Sequence, residues 1–266
     1  MSEKYENYLT LLYSLKREAF IPKIDIEAEA SEKGSRYFGA PWMPTDMEWP
    51  YDGDIPMNFV LQLDLATVPW RPEGMPNKGL LLFFHAEEYN EPDLQSLLVV
   101  VDSEGEGGLR NPPVAQGVYV NPALPISGWQ KTVDTPSYES RYDIEGLADE
   151  DFEHIEDGCY HDEQRGLELI LGEDGSGYDE NQLVQTDTLP VSHTFAGDKI
   201  GGWPFWEQGD DTPEDEDGNR WAYFMQVGYA GIRGVSLDKV AIDWPTWGTG
   251  HIYFHEGEFL YVWACD

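Results

Sequence analysis

Length, composition and charge already narrow the class of protein. The chain has 266 residues, of which 41% are hydrophobic and 14% aromatic, enough for one large core or for two halves that share one. Asp and Glu number 51 against 16 Lys and Arg, so the formal net charge is −35. A surface of that sign repels nucleic acids and anionic membranes, which argues against both as partners.

Cysteine content and the first residues bear on where the protein works. Cys159 and Cys265 are too few for a disulfide framework, which favours a reducing compartment. Charged residues interrupt the start of the chain, so no signal peptide is expected there. No stretch approaches the roughly 20 apolar residues that span a bilayer. We therefore expect a cytoplasmic protein, and the sequence leaves its oligomeric state open.

The N-terminal residues predict a helix followed by a strand. Between residues 4 and 20, apolar side chains recur at three- and four-residue steps, the spacing of an amphipathic helix. Pro22 is expected to end this helix. Ile24 and Ile26 then alternate with acidic residues, which predicts a short strand.

A motif that combines a base, a glycine, a proline and an aromatic residue comes next, at residues 36–42, with the sequence RYFGAPW. After it, the nearly continuous apolar residues 57–65 predict a strand buried on both faces. Two more strands are predicted at residues 80–85 and 97–101. The proline-rich residues 112–125 predict an ordered loop.

The middle of the chain is strongly acidic. Between residues 143 and 180 there are fifteen Asp or Glu and one base, Arg165. Apolar residues in this segment keep helical spacing, which predicts an amphipathic helix with a solvated acidic face. Leu167, Leu169 and Leu171 then alternate as in a strand.

A second copy of the motif stands at residues 199–206, with the sequence KIGGWPFW. Each copy is followed by a predicted strand that contains a glutamine, at residues 59–63 with Gln62 and at residues 223–227 with Gln226. A glycine-led aromatic strand then begins at Gly79 or Gly250. Because the three matches occur in one order and at nearly constant offset, they predict an internal duplication.

Several of these elements together resemble the YwqG-like family, a bacterial domain of unknown function. They are the motif at 199–205, the strand around Gln226, the strand 250–254 and the closing residues 263–266, while residues 35–44 are similar to the first copy in that family. The resemblance covers about residues 19–266. It implies a duplicated α+β fold rich in antiparallel strands, and it carries no established activity.

We therefore expect an α+β fold that is β-rich, internally duplicated and built of mostly antiparallel sheets with a few helices. One domain spans residues 1–266, with repeats at approximately 1–140 and 141–266. Residues 259–264 are expected to form a buried terminal strand.

Four polar residues are candidate ligand contacts because the two copies place them alike. Arg36 and Lys199 open the motifs, and Gln62 and Gln226 lie on the strands that follow. A ligand between the repeats would contact the two bases. The alternative is structural: the bases pair with carboxylates, and glycines beside proline make tight turns. The motifs lack the glycine spacing of phosphate-binding loops.

Metal binding has weak support in the sequence. Asp211, Asp215 and Asp217 could form an irregular calcium site, although the register of an EF-hand fails because its twelfth position would be Phe224. His154, Cys159 and His161 lie close together without a recognised zinc spacing. We expect a metal-free protein without a cofactor.

Catalysis is also not predicted, since no nucleophile motif is present. We expect a non-catalytic binding or protein-interaction protein with a strongly acidic surface, such as an immunity-type partner that masks a basic protein. The alternative is a small-molecule-binding protein or enzyme whose site lies between the two repeats, near Arg36 and Lys199.

Overall fold

A computed structural model describes residues 14–86, 96–114, 121–134, 136, 197–206, 209–228 and 248–265. These residues form strands, and no helical element is defined among them. The strands are β1 Arg17–Ile24, β2 Arg36–Tyr37, β3 Trp42–Pro44, β4 Tyr51–Asp52, β5 Ile55–Pro56, β6 Asn58–Asp64, β7 Leu80–His85, β8 Ser96–Val101, β9 Gly107–Leu109, β10 Leu124–Asp134, β11 Lys199–Gly201, β12 Ala222–Gly228, β13 Gly248–His255 and β14 Glu258–Cys265.

Ten strands form one sheet in the order β14-β13-β12-β11-β1-β10-β2-β6-β7-β8. Every pairing in it is antiparallel. Cα atoms of the edge strands β8 and β14 come within 8 Å of each other, so the sheet curls into a nearly closed barrel. The mostly antiparallel sheet expected from the sequence is confirmed, and the described part of the fold is mainly β.

Apolar side chains from both ends of the sheet fill the interior of this barrel. The buried interior residues include Tyr37, Leu61, Leu63, Phe83, Ile200, Met225, Ile252 and Phe254. Tyr261 of β14 packs onto this core, with its ring centroid 4.8 Å from that of Phe83 and 5.5 Å from that of His85. Side-chain packing between β14 and β7 therefore bridges the two ends of the described sheet, whose edge strands β14 and β8 do not pair.

A second apolar cluster covers the outer face of the sheet around β6, β7 and β8. Its buried members include Trp42, Met43, Trp49, Phe59, Leu80, Leu82 and Phe84. Strand β6 thus buries Phe59 outward and Leu61 inward, and its central residues are all buried. The prediction that residues 57–65 hold a strand buried on both faces is confirmed.

The helix expected at residues 4–20 is wrong for its last turn, because residues 17–20 belong to β1. Residues 1–13 lie outside the described part of the chain. Strand β1 lies at the centre of the sheet between β10 and β11, and its Ala19 and Ile21 are buried. Pairing on both sides therefore overrides the helical periodicity of the sequence.

Pro22 does not end a helix but lies inside β1, opposite Trp129. The carbonyl of Glu18 accepts a hydrogen bond from the N–H of Gly202, so alternate residues of β1, including Pro22, face the β11 side. Strand β11 pairs with β1 at Ala19 and Phe20, and this pairing does not extend along β1 as far as Pro22. The N–H that proline lacks is therefore not needed.

Most of the other predicted strands are confirmed. Strand β7 has the predicted bounds, and β8, β12 and β13 contain the strands expected at 97–101, 223–227 and 250–254. The strand predicted around Ile26 is wrong, because β1 ends at Ile24 and Ala28 N–H bonds the carbonyl of Asp25 in a turn. Strand β10 begins at Leu124, within the expected loop.

The terminal strand is confirmed as a strand, β14, but it is not buried along its length. It lies at an edge of the sheet, and residues 258–263 are exposed or half-buried. The acidic segment 143–180, with the strand predicted at 167–171 and the candidate metal ligands His154, Cys159 and His161, lies outside the described residues. No helix among the described residues is long and apolar enough to cross a membrane.

Strand pairing follows the same pattern at both ends of the sheet. Arg36 pairs with Gln62 between β2 and β6, as Lys199 pairs with Gln226 between β11 and β12. On the next strand, Gln62 pairs with Leu82 and Gln226 with His251. Strands β6 and β12 each also carry a register shift, between Phe59 and Leu61 in β6 and between Tyr223 and Met225 in β12.

This register corrects one detail of the sequence alignment. Because Leu82 and His251 occupy matching positions, Gly250 corresponds to Leu81 and not to Gly79. The duplication itself stays a prediction, and the repeated pairing is the observation that supports it.

We predict that Gly250→Ala destabilises the protein. An ideal Cβ at Gly250 would lie 2.2 Å from the Tyr261 hydroxyl oxygen and 2.3 Å from its ring, so Tyr261 would have to leave the interior. The expected loss is about 1–3 kcal/mol in the free energy of unfolding, measured by urea denaturation.

Gly128→Ala is the matched control, because a Cβ at Gly128 of β10 would meet nothing within 4 Å. We expect its free energy of unfolding to stay at or above that of the wild type. Equal stability of the two variants would contradict the packing of Tyr261 over Gly250.

Candidate functional site

Arg36 is buried, and its guanidinium is engaged by the main chain. It donates hydrogen bonds to the carbonyls of Ser31 (2.7 Å), Glu32 (3.1 Å) and Ala40, and to Oε1 of Gln62 at 3.3 Å. Burial lowers the pKa of Arg36 to about 10, while the nearby carboxylate of Glu32 acts in the opposite direction. The base therefore holds its own loop in place.

Gln62 completes that arrangement from the neighbouring strand. Its Oε1 accepts a hydrogen bond from the N–H of Trp42 (2.9 Å), and its Nε2 donates to the carbonyl of Gly34 at 2.8 Å. Between these points the chain turns through Phe38 and Gly39, whose φ angles are 51° and 75°. A Cβ on Gly39 would lie 2.6 Å from that of Ala123, so this turn requires glycine.

Lys199 takes the place of Arg36 in the second motif but has a different partner. Its Nζ lies 2.6 Å from Oδ2 of Asp134, and both side chains are almost fully buried. Burial lowers the pKa of Lys199, and the carboxylate of Asp134 opposes that shift. The N–H of Trp203 also donates to Asp134, at 3.2 Å.

Gln226 repeats the role of Gln62. Its Oε1 accepts from the N–H of Phe205 (2.8 Å), and its Nε2 donates to the carbonyl of Gly197 at 3.0 Å. The turn between these points passes through Gly201 and Gly202, with φ angles of 67° and 74°. A glutamine thus fastens the motif to the sheet in both halves.

The structure brings the predicted residues together in two pairs and keeps the pairs apart. Arg36 lies next to Gln62, and Lys199 next to Gln226. In the sheet, β10 and β1 separate the strands of Arg36 and Lys199, and both side chains point to the outer face, opposite to the inward Tyr37 and Ile200. All four are buried, and their role in ligand binding stays a prediction.

The three candidate calcium ligands lie in an exposed loop. Asp215 accepts hydrogen bonds from the N–H groups of Asp217 and Asn219 and from the Asn219 side chain, and these bonds lower its pKa. Burial, with Asp210 nearby, raises the pKa of Asp211. Among the described residues, no group of three or more His, Cys, Asp or Glu is placed to hold a metal ion.

One cluster escaped the sequence reasoning: an aromatic group on the outer face of β12 and β13, formed by Trp206, Tyr223, His251 and Tyr253. The ring centroids of Trp206 and His251 are 4.6 Å apart, those of Tyr223 and His251 6.0 Å, and those of Tyr223 and Tyr253 6.2 Å. His251 and Tyr253 are buried, as is the hydroxyl of Tyr223. We call these four residues the polar aromatic cluster.

The register shows what stands at the same place in the first half. Leu82 matches His251, and the pair Phe59–Phe84 matches Tyr223–Tyr253. Met43 follows Trp42, which bonds Gln62, as Trp206 follows Phe205, which bonds Gln226. The four counterparts are Met43, Phe59, Leu82 and Phe84, all members of the outer apolar cluster. The signal was present in the sequence, but the two-residue misalignment of the glycines concealed it.

Burial keeps the polar groups of this cluster uncharged. It lowers the pKa of His251 to about 3, with the positive charge of Lys199 as a second cause, while a backbone hydrogen bond to Phe205 acts the other way. Burial also raises the pKa of Tyr223 well above its usual value, helped by the carboxylates of Asp134 and Asp198. At neutral pH the cluster offers hydrogen-bonding groups without charge.

Comparison with known proteins assigns the family. Residues 35–258 match the profile of a domain of unknown function, DUF1963, which covers most of the chain. The chain therefore belongs to the DUF1963 family. A search of curated proteins found no match.

We predict that Lys199→Met costs about 3–5 kcal/mol of unfolding free energy, because it leaves the Asp134 carboxylate buried without its counter-charge. The double variant Lys199→Met with Asp134→Leu should recover much of that loss. Urea denaturation of both variants measures the effect.

Lys131→Met is the control for this pair. Lys131 pairs with Glu18 at the surface, where both side chains are more than half exposed, so we expect a loss below about 1 kcal/mol. If Lys199→Met were as mild as Lys131→Met, the buried ion pair would not have the stabilising role described.

The pH dependence of stability should include a contribution from His251. Its pKa is about 3 in the folded protein against 6.5 ordinarily, so below pH 6.5 the unfolded chain binds a proton that the folded chain does not. Stability is therefore present above pH 6.5 and lost as the pH falls towards 3.

We expect this one group to account for about 2 kcal/mol of the stability lost between pH 8 and pH 5. His251→Leu, which installs the residue found in the first half, should flatten the pH dependence by that amount in urea titrations. An unchanged pH dependence would show that His251 is not buried in the neutral form.

Proposed function

We propose that this protein is a non-catalytic, cytoplasmic binding protein whose acidic surface engages a basic protein, as an immunity-type partner would. The observation that carries the proposal is a group of exposed carboxylates in two adjoining loops, which have no ion pair to any described residue. Several of the bases, in contrast, are held in contacts within the chain.

The bases are engaged in several ways. Two are buried, and others contact carbonyls, carboxylates or an indole ring. Arg36 and Lys199 are buried, Arg110 donates to the carbonyls of Met47 and Pro44, Arg220 pairs with Asp210, and Arg17 lies 3.3 Å from the centroid of the Trp203 ring. The positive charge of these five bases is thereby engaged within the chain, while lysines such as Lys23 and Lys78 remain exposed.

Two neighbouring loops carry exposed carboxylates with no ion pair to any described residue. We call them the acidic rim, formed by Asp25, Glu27, Glu29, Glu32, Asp102, Glu104 and Glu106. The loops adjoin, because Lys33 Nζ donates to the carbonyl of Ser103 at 2.5 Å. Like charges held this close create a local negative potential, which favours association with a cationic surface.

The repeated register supports a second part of the proposal, that the chain is a YwqG-like domain over residues 1–266 made of two duplicated repeats. The halves then share one scaffold, and the acidic rim belongs to the first. A site between the repeats at Arg36 and Lys199 has less support, because two strands lie between those bases.

The test is capture of basic proteins from a lysate of the source cell at low and at moderate salt. A triple variant, Glu27→Lys, Glu29→Lys and Glu104→Lys, reverses the charge of the rim at exposed positions. We expect it to weaken capture of the partner at least about tenfold, since it replaces attraction by repulsion at three sites.

The matched control reverses three exposed carboxylates elsewhere, Glu48→Lys, Asp54→Lys and Glu73→Lys. It changes the net charge equally and should keep the partner bound. Equal losses in the two triple variants would show non-specific attraction to net charge, and capture of no basic protein would refute the proposal.

A further inference from the structure

We propose that the second half of the protein has a small-molecule site, formed by Trp206, Tyr223 and His251, which takes an uncharged ring with a lactam edge. Such an edge presents a ring N–H beside a ring C=O. This site is separate from the acidic rim and does not depend on a protein partner.

The first observation is a set of polar atoms that are buried without a hydrogen bond. They are Nε1 of Trp206, the hydroxyl of Tyr223 and Nε2 of His251, and none of them has a partner in the described part of the chain. Buried polar atoms in native proteins are nearly always bonded, and leaving one unbonded costs as much as a lost hydrogen bond or more. Three of them within one cluster of touching rings point to a missing partner.

The first half shows that the fold does not need this polarity. Met43, Phe59 and Leu82 fill the matching positions and pack in the outer apolar cluster around the same glutamine-fastened motif. An apolar filling is therefore compatible with the scaffold. The polar groups of the second half add a cost that the fold could avoid, which is typical of a binding site.

The hydrogen-bonding character of these atoms defines the edge of the ligand. The Trp206 Nε1–H group can only donate. His251 Nε2 has no partner, so the backbone hydrogen bond of His251 to Phe205 uses Nδ1, which leaves Nε2 of the neutral ring as an acceptor. A lactam satisfies both, since its C=O accepts from Trp206 and its N–H donates to His251. Tyr223 supplies a further hydroxyl.

Charge and shape restrict the ligand further. The base that acts on His251, Lys199, is already paired with Asp134 at 2.6 Å, and the carboxylates of Asp134 and Asp198 act on Tyr223, so these surroundings disfavour an anionic ligand. The rings of Trp206, His251 and Tyr223 pack together with centroids 4.6 and 6.0 Å apart, and a planar ring is the neighbour that such an aromatic group favours. An uncharged planar lactam fits both conditions.

The experiment uses uracil, hypoxanthine and 2-piperidone as lactam probes, with binding to the full chain followed by ligand-observed NMR. The control ligand is 1,3-dimethyluracil, which keeps the ring and the carbonyls but has no N–H. We expect at least one lactam to bind with a dissociation constant below about 10 mM, and the dimethyl compound at least about tenfold more weakly than uracil.

Variants then place the site. Tyr223→Phe removes a single hydroxyl and His251→Leu installs the first-half residue, and each should weaken lactam binding about three- to tenfold. Phe59→Leu, at the position that matches Tyr223 in the first half, should leave lactam binding unchanged. Tyr223→Phe should also keep or raise the melting temperature, because it removes an unbonded buried hydroxyl.

Three results would overturn the proposal. They are no binding by any of the three lactams, equal binding of uracil and its dimethyl derivative, and lactam binding that survives both Tyr223→Phe and His251→Leu. A melting temperature lowered by Tyr223→Phe would show instead that the hydroxyl is bonded within the protein and that the cluster is structural.

Discussion

One buried glutamine in each half determines how the outer motif meets the barrel. A buried amide side chain must have its hydrogen bonds satisfied, and Gln62 and Gln226 each bond main-chain groups of the motif and of the residues just before it. That requirement fixes the turn, including the left-handed residues at Gly39 and Gly202. The burial of the base at the start of the motif then follows, because the turn carries it against the sheet.

Once the turn is fixed in this way, the side chains packed on the outer face of the sheet can differ between the two halves. In the first half the space holds Met43, Leu82 and aromatic rings in an apolar cluster. In the second half Trp206 and His251 occupy the matching positions with polar atoms. The two bases diverge similarly, since Arg36 is held by carbonyls and Lys199 by a carboxylate. A repeated scaffold thus supports two different local chemistries.

The sequence predicts the strands whose own residues are continuously apolar. It misses the strands whose conformation depends on pairing with neighbouring strands. Strands β6 and β7 carry continuous apolar residues, so their positions are readable from the sequence alone. Strand β1 contains Pro22, and β10 contains Pro125 and Gly128, and both owe their conformation to pairing with each other. Such pairing is a long-range effect that local patterns do not encode.

The candidate site was predictable to a similar degree. Arg36, Gln62, Lys199 and Gln226 were recognised as equivalent because they recur in order, and the register places them as two matching pairs. Their burial could not be read from the sequence, because it depends on which face of the sheet the motif covers. The polar aromatic cluster requires the correct register across β12 and β13, which a one- or two-residue error in alignment conceals.

The line where β8 approaches β14 gives this barrel a property that a fully hydrogen-bonded cylinder lacks. Elsewhere in the described wall, separating two neighbours means breaking a ladder of backbone hydrogen bonds. Along this seam, the contacts described are between side chains, with Tyr261 of β14 packed against Phe83 and His85 of β7. Local opening costs least where contacts are few and non-directional. We therefore expect the described sheet to open first along this line, so that amide exchange in β8 and β14 would be faster than in the strands that are paired on both sides.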